Sequence, residues 1–186
     1  MLSRLPWVPL IAGIAAGMVA SAIAAVASGE VEEPAAQPGS RRVALIGDSY
    51  AEGLGPELRK LIPGLFVESR RGSSVAQWRS TWSQTLPSFA PTLVIVSLGV
   101  NGGGSQNPAD FQAIASAIRG LGSGVLWIEP PLGVTAVDPS SARAIIRSLG
   151  VQTMPAFSTP MAADGLHPAS YGPWARAIAQ EVARLS

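Results

Sequence analysis

The sequence predicts an α/β fold, a three-layer α/β/α sandwich around a five-stranded parallel sheet. Three observations carry that expectation. β-Rich apolar runs end at or near glycine or proline, and segments with helical spacing separate them. The strongest runs are continuously apolar rather than alternating, as in strands covered on both faces.

Taken in order, RVALI at 42–46 is the first strand, closed by Gly47. Glu52–Leu61 comes next as a helix, with Leu54, Leu58 and Leu61 at suitable spacing. LFVE at 65–68 is a weaker strand. A helix is then expected over 75–86, where Trp78 and Trp82 lie four apart on one face. TLVIVSL at 92–98 is the strongest strand, and Phe111, Ile114 and Ile118 mark a helix over 110–121. GVLWIE at 124–129 stops at Pro130-Pro131. Asp138-Pro139 predicts a helix start, with aspartate as N-cap and proline in the first helical position. GVQTM at 150–154 ends at Pro155, and a terminal helix covers 171–185. The tryptophans and the Ile/Leu stripes read as packing residues rather than a ligand box.

The two ends of the chain differ in kind. No charged side chain occurs from Leu5 to Gly29, and Arg4 precedes that run. Residues 1–27 are therefore expected to be an uncleaved membrane anchor or a signal peptide cut after Ala25-Val26-Ala27. Positive charge before the segment favours export of the chain beyond it. Residues 28–40, SGEVEEPAAQPGS, read as a flexible linker, and 41–186 as the folded domain. The expected location is extracytoplasmic: anchored in a bacterial inner membrane and facing the periplasm, or free if the segment is cut.

Composition removes whole classes of chemistry. The 186 residues include no cysteine, which excludes disulfides, thiolate catalysis and cysteine-bound metal centres. There is one histidine, so any imidazole chemistry runs through His167. Residues 41–186 carry 12 basic and 9 acidic groups, too small and too scattered an excess to indicate nucleic acid. The glycines at 102–104 are not followed by Lys-Ser or Lys-Thr, and GxGxxG is absent from the first strand–helix turn. A nucleotide site is not expected.

In parallel sheets, reactive groups collect beyond the carboxyl ends of the strands. Gly47-Asp48-Ser49-Tyr50 follows the first strand. By itself Ser49 reads as a helix cap or as a nucleophile beside an exposed backbone N–H. Gly72 follows the second strand, as a turn glycine or as a main-chain donor brought close to a reaction centre. Asn101 follows the third, as a turn residue or as an amide donor to developing negative charge. Asp164-Gly165-Leu166-His167 follows the last strand. An aspartate three residues before a histidine can hold one ring nitrogen while the other faces a nucleophile. Glu129 is a candidate to line the site, to serve as a cap or to face solvent.

These blocks, GDS with Ser49, RRGSS with Gly72, GVN with Asn101 and DGLH with Asp164 and His167, resemble those of the SGNH hydrolases, or GDSL-type esterases and lipases. The resemblance covers about 42–186. It implies a flavodoxin-like sheet, Ser49 as nucleophile, His167 as general base and Asp164 as its orienting partner. It also implies an oxyanion hole from the Ser49 N–H, Gly72 and Asn101. Tyr50 stands where the family name has leucine, and Gly102 follows Asn101 where aspartate is common.

The expected function is hydrolysis of a carboxylic ester through an acyl-enzyme, without metal or organic cofactor. A short acyl or O-acetyl group on an extracytoplasmic carbohydrate or envelope component is the expected substrate. An acyltransferase on the same scaffold, or a non-catalytic carbohydrate-binding or scaffold protein, are the alternatives. The expected partners are an ester substrate, with an acylated glycan as candidate, and the membrane if the N-terminal segment is retained. Nucleic acid is not expected, and the chain is expected to be a monomer.

Overall fold

Three continuous apolar runs form the centre of a parallel sheet, and two weaker runs form its edges. A computed structural model describes residues 41–102 and 106–185. Its strands are β1 (Val43–Gly47), β2 (Phe66–Ser69), β3 (Leu93–Ser97), β4 (Gly124–Ile128) and β5 (Gln152–Met154). All pair in parallel, in the order β2-β1-β3-β4-β5. This is the flavodoxin-like order, with its switch point between β1 and β3.

The helices are α1 (Ser49–Arg59), α2 (Val75–Ser80), α3 (Leu86–Phe89), α4 (Pro108–Gly120), α5 (Ser140–Ser148) and α6 (Gly172–Arg184). Strand side chains alternate between the two faces, which explains why both faces are apolar. Val43, Leu45, Ile95, Leu126 and Ile128 pack with Leu54 and Leu58 of α1 and with Trp174 and Ile178 of α6. Ala44, Ile46, Val94, Val96 and Trp127 pack on the other face with residues of α2 to α5, among them Trp78, Phe111 and Ile146. The expected three layers and five parallel strands are those observed.

Three of the departures from the expected helices have a clear local reason. The helix expected over 75–86 is two helices. The hydroxyls of Ser80 and Thr81 both donate to the Gln77 carbonyl, at 2.9 and 2.8 Å, in competition with the backbone. Ser83 Oγ then accepts the Leu86 N–H at 2.9 Å and starts α3, with Pro87 in its first turn. Trp78 is buried in α2, whereas Trp82 packs on the same core from the connecting segment. Asp138 is not the N-cap of α5, because Pro139 takes that position; its carboxylate still accepts the Ser140 N–H at 2.9 Å. The first helix begins at Ser49 rather than Glu52, because Asp48 is its N-cap and accepts the Tyr50 N–H at 3.0 Å.

Among the described residues no helix is long and apolar enough to cross a membrane. The expected anchor or signal peptide at 1–27 and the linker at 28–40 lie outside the described residues.

Gly47 joins the sheet to α1 at a point with no room for a side chain. A Cβ there would stand 2.2 Å from the Ser97 carbonyl oxygen and 2.8 Å from the Ala51 Cβ. Gly47→Ala should therefore destabilise the fold by about 1–3 kcal/mol through overpacking. A urea melt should show a lowered midpoint, and an unchanged midpoint would contradict the close approach.

Candidate active site

The turn that carries Ser49 is pinned to both neighbouring strands. The Asp48 N–H donates to the Ser97 carbonyl at 3.2 Å, and the Arg70 N–H donates to the Gly47 carbonyl at 2.9 Å. Ser49 is consequently fixed at the sheet's carboxyl edge, beside the switch point, in the first turn of α1. Its backbone N–H belongs to the donors that a helix start leaves without an intrahelical acceptor.

Three of the five expected residues meet directly. Ser49 Oγ lies 2.9 Å from His167 Nε2, and His167 Nδ1 lies 2.7 Å from Asp164 Oδ2. The other Asp164 oxygen accepts the N–H groups of Leu166 and His167, both at 2.9 Å. The bond from the His167 ring, reinforced by these two N–H bonds, lowers the Asp164 pKa to about 2. Asp164 is therefore an ionised, acceptor-only group near neutral pH. A neutral His167 must then carry its proton on Nδ1 and turn the Nε2 lone pair toward Ser49.

The loop that presents Asp164 and His167 is held from several sides. Gly165 turns it at φ +63°, and a Cβ at that position would meet Thr135 Oγ1. The N–H groups of Thr135 and Ala136 donate to the Gly165 carbonyl at 2.8 and 3.2 Å. The Ala162 N–H donates to the His167 carbonyl at 2.7 Å. Tyr50, to which the sequence assigns no role, donates its hydroxyl to the Leu166 carbonyl at 2.8 Å. Its ring also meets His167 edge-on, with centroids 5.9 Å apart. Burial, foremost, pushes the Tyr50 phenol pKa up, which keeps the donating form.

Asn101 joins this cluster through Asp48, whereas no hydrogen bond among the described residues links Gly72 to Ser49, His167 or Asp164. Asn101 Nδ2 donates to Asp48 Oδ2 at 3.1 Å and to the Ser73 carbonyl at 3.3 Å. Gly72 sits at φ +72° in an exposed turn between Arg71 and Ser73. Asp48 is fully buried, and that desolvation raises its pKa to about 7 against the lowering effect of the Tyr50 N–H and the Asn101 amide.

Glu129 is 2% exposed and does not line the site. Both its oxygens accept from Arg147, at 2.7 and 2.8 Å, and one also accepts the Ala156 N–H, so it ties β4 to α5. Beside Ser49 and His167 opens a cleft of about 340 Å³, lined also by Glu52, Gly53, Arg71 and Tyr171. Of the last four, Arg71 falls within the RRGSS block, and no motif in the sequence marks Glu52, Gly53 or Tyr171. A hollow of about 330 Å³ by Arg41, Arg119 and Leu185 lies at the opposite end of the sheet, away from the Ser49–His167 pair. Among the described residues no group of three His, Cys, Asp or Glu side chains is arranged to hold a metal ion.

No protein-family model matches the chain, and no curated protein matches it in sequence. Solved structures do share its fold. The lipase/acylhydrolase of Enterococcus faecalis superposes with a TM-score of 0.60 at 17% identity, over 77% of this chain and 95% of that one. A GDSL-like lipase of Bacteroides thetaiotaomicron gives 0.59 at 15% identity, over 77% and 87%. The C-terminal catalytic domain of the Streptococcus pneumoniae peptidoglycan O-acetyltransferase A gives 0.57 at 19% identity, over 78% and 92%. At these identities the likeness establishes the fold.

The buried Asp48 links stability to pH. Between its ordinary range and about pH 7 the folded protein keeps a proton that the unfolded chain has released. Its contribution to stability therefore falls as pH rises through that window, by roughly 4 kcal/mol at most. Urea melts of wild type and Asp48→Asn from pH 4 to pH 8 should show wild type losing ground to the variant as pH rises. A constant difference between the two would contradict the raised pKa.

Proposed function

We propose that this chain is an SGNH-type serine esterase acting on a short acyl ester, with Ser49, His167 and Asp164 as its catalytic residues. The observation that carries the reading is the unbroken hydrogen-bond line from Asp164 Oδ2 through both ring nitrogens of His167 to Ser49 Oγ. Nucleophile, base and orienting carboxylate at these distances meet the geometric requirement for acyl transfer.

In the first half-reaction Ser49 Oγ attacks the ester carbonyl carbon while His167 Nε2 takes the hydroxyl proton. The carbonyl π electrons move onto oxygen, and a tetrahedral oxyanion forms. Asp164 stays ionised and stabilises the imidazolium. The oxyanion collapses, the bond to the leaving oxygen breaks, and His167 returns the proton to the departing alcohol. Water repeats the cycle on the acyl-enzyme and releases the carboxylic acid.

Three donors are assigned to the oxyanion: the N–H groups of Ser49 and Gly72 and the side-chain amide of Asn101. The Asn101 bond to Asp48 aims the amide, and the longer 3.3 Å bond to Ser73 is the one the oxyanion replaces. Hydrolysis is favoured over transfer because the relay is wet. The His167 and Asp164 side chains are 31% and 50% exposed, whereas a transferase has to keep water from its acyl-enzyme. An O-acetyl group on an extracytoplasmic carbohydrate or envelope component is the assigned substrate, with residues 1–27 as export signal or anchor.

A fluorophosphonate should label wild type and leave Ser49→Ala unlabelled, read by intact-protein mass spectrometry. Equal labelling of both would remove Ser49 as nucleophile. Asn101→Ala should cut kcat on an aryl acetate by about 10²–10³, the usual effect of losing one oxyanion donor. An unchanged kcat would assign Asn101 to structure alone.

A further inference from the structure

Tyr50 follows Ser49 directly in sequence, yet its hydroxyl reaches the loop that carries His167. Ser49 stands in the first turn of α1, whereas His167 lies 118 residues further on, ahead of α6. Proton transfer between the two needs their elements held at one separation, since a misplacement of about 1 Å can cost about a hundredfold in rate.

The bonds of Asp164 do not supply that constraint. Its carboxylate accepts from the His167 ring and from the Leu166 and His167 N–H groups, all within its own loop. The bonds from Thr135 and Ala136 to the Gly165 carbonyl hold the loop to the segment after β4. Apart from the Ser49–His167 contact itself, one hydrogen bond among the described residues joins α1 to the 162–168 loop. Tyr50 Oη donates it to the Leu166 carbonyl, at 2.8 Å.

The acceptor of that bond is well placed to act on His167. The Leu166 carbonyl and the His167 N–H belong to one peptide group, which is planar and stiff. Its oxygen accepts from Tyr50, and its N–H donates to Asp164 Oδ1 at 2.9 Å. Two bonds at opposite ends thus fix the plane from which residue 167 departs. Pro168 narrows the backbone of His167 further, toward extended conformations.

The ring of Tyr50 works in the same direction. It is buried, and it meets His167 edge-on, with centroids 5.9 Å apart and an interplanar angle of 85°. It also meets Trp174 edge-on, at 5.6 Å and 77°, and Trp174 belongs to the core between the sheet and α6. A leucine, as in a GDSL block, would fill part of this volume but has no hydroxyl to donate.

We infer that Tyr50 is a positioning residue for His167: its hydroxyl ties the Leu166–His167 peptide to α1 and so holds Nε2 in line with Ser49 Oγ. The inference rests on the esterase reading and adds to it a residue that acts through His167 rather than on the substrate.

The test uses the full chain as wild type, Tyr50→Phe and Tyr50→Leu, with 4-nitrophenyl acetate as substrate. Tyr50→Phe keeps the ring and removes only the hydroxyl. Its kcat should fall roughly tenfold, the upper end of what one neutral hydrogen bond contributes, with KM within about twofold of wild type. Tyr50→Leu should lose at least as much. Circular dichroism verifies folding, and either variant alone decides the outcome. A second readout needs no turnover. The ¹⁵N shift of Nε2 in the neutral His167 ring senses the Ser49 hydroxyl, so Ser49→Ala should move it. In the Tyr50→Phe background the same substitution should move it less than half as far. A kcat within about twofold of wild type overturns the inference, even where the urea midpoint falls, because the hydroxyl then serves stability alone. An undiminished Nε2 response overturns it as well. Wild type inactive on the aryl acetate removes the esterase reading instead, and the Nε2 comparison still decides whether Tyr50 aligns the ring.

Discussion

The ionised carboxylate of Asp164 fixes which nitrogen of His167 carries the proton, and the geometry around the candidate site depends on that choice. An acceptor-only partner 2.7 Å from Nδ1 requires a donor there, so in the neutral ring Nε2 is free to accept from Ser49. The same aspartate uses its second oxygen to fold its own loop through the Leu166 and His167 N–H groups. Orientation of the ring and shape of the loop are thus one constraint. Gly165 is required at the turn, and the 135–136 segment and Tyr50 brace it from outside.

A second network sets the other side of Ser49. Asp48 is buried at the switch point, caps α1 through the Tyr50 N–H and holds the Asn101 amide. Burial of a carboxylate is unfavourable unless its oxygens are bonded or it keeps its proton, and here both compensations operate. Because Asp48 N–H is also bonded to Ser97 at the end of β3, strand pairing and side-chain aim are set by adjacent atoms. Tyr50 belongs to both networks, with its N–H on Asp48 and its hydroxyl on the Leu166 carbonyl.

Most of the architecture was legible because it rests on local signals. Continuous apolar runs identified β1, β3 and β4, and their position just beyond strand ends marked Ser49, Asn101, Asp164 and His167 as candidates. What escaped depends on partners distant in the chain. The Tyr50 hydroxyl and its acceptor are 116 residues apart, and Arg71 and Glu52 are 19 apart on separate elements. No periodicity signals either contact. The break between α2 and α3 escaped for a different reason: the apolar spacing runs through it, while the interruption comes from Ser and Thr hydroxyls. Asn101 was legible as a donor at the strand end, but its engagement with Asp48 and Ser73 required the folded chain.

One imidazole, that of His167, is held in a single tautomer between Asp164 and Ser49. Since the chain has one histidine, ¹⁵N-histidine labelling yields one ring to assign. Long-range ¹H–¹⁵N correlation along a rising pH series, carried on until the ring signals stop moving, reads the neutral ring directly. The expected result is a protonated Nδ1 and a bare Nε2. A ring protonated at Nε2, or one averaging between the two tautomers, would contradict it.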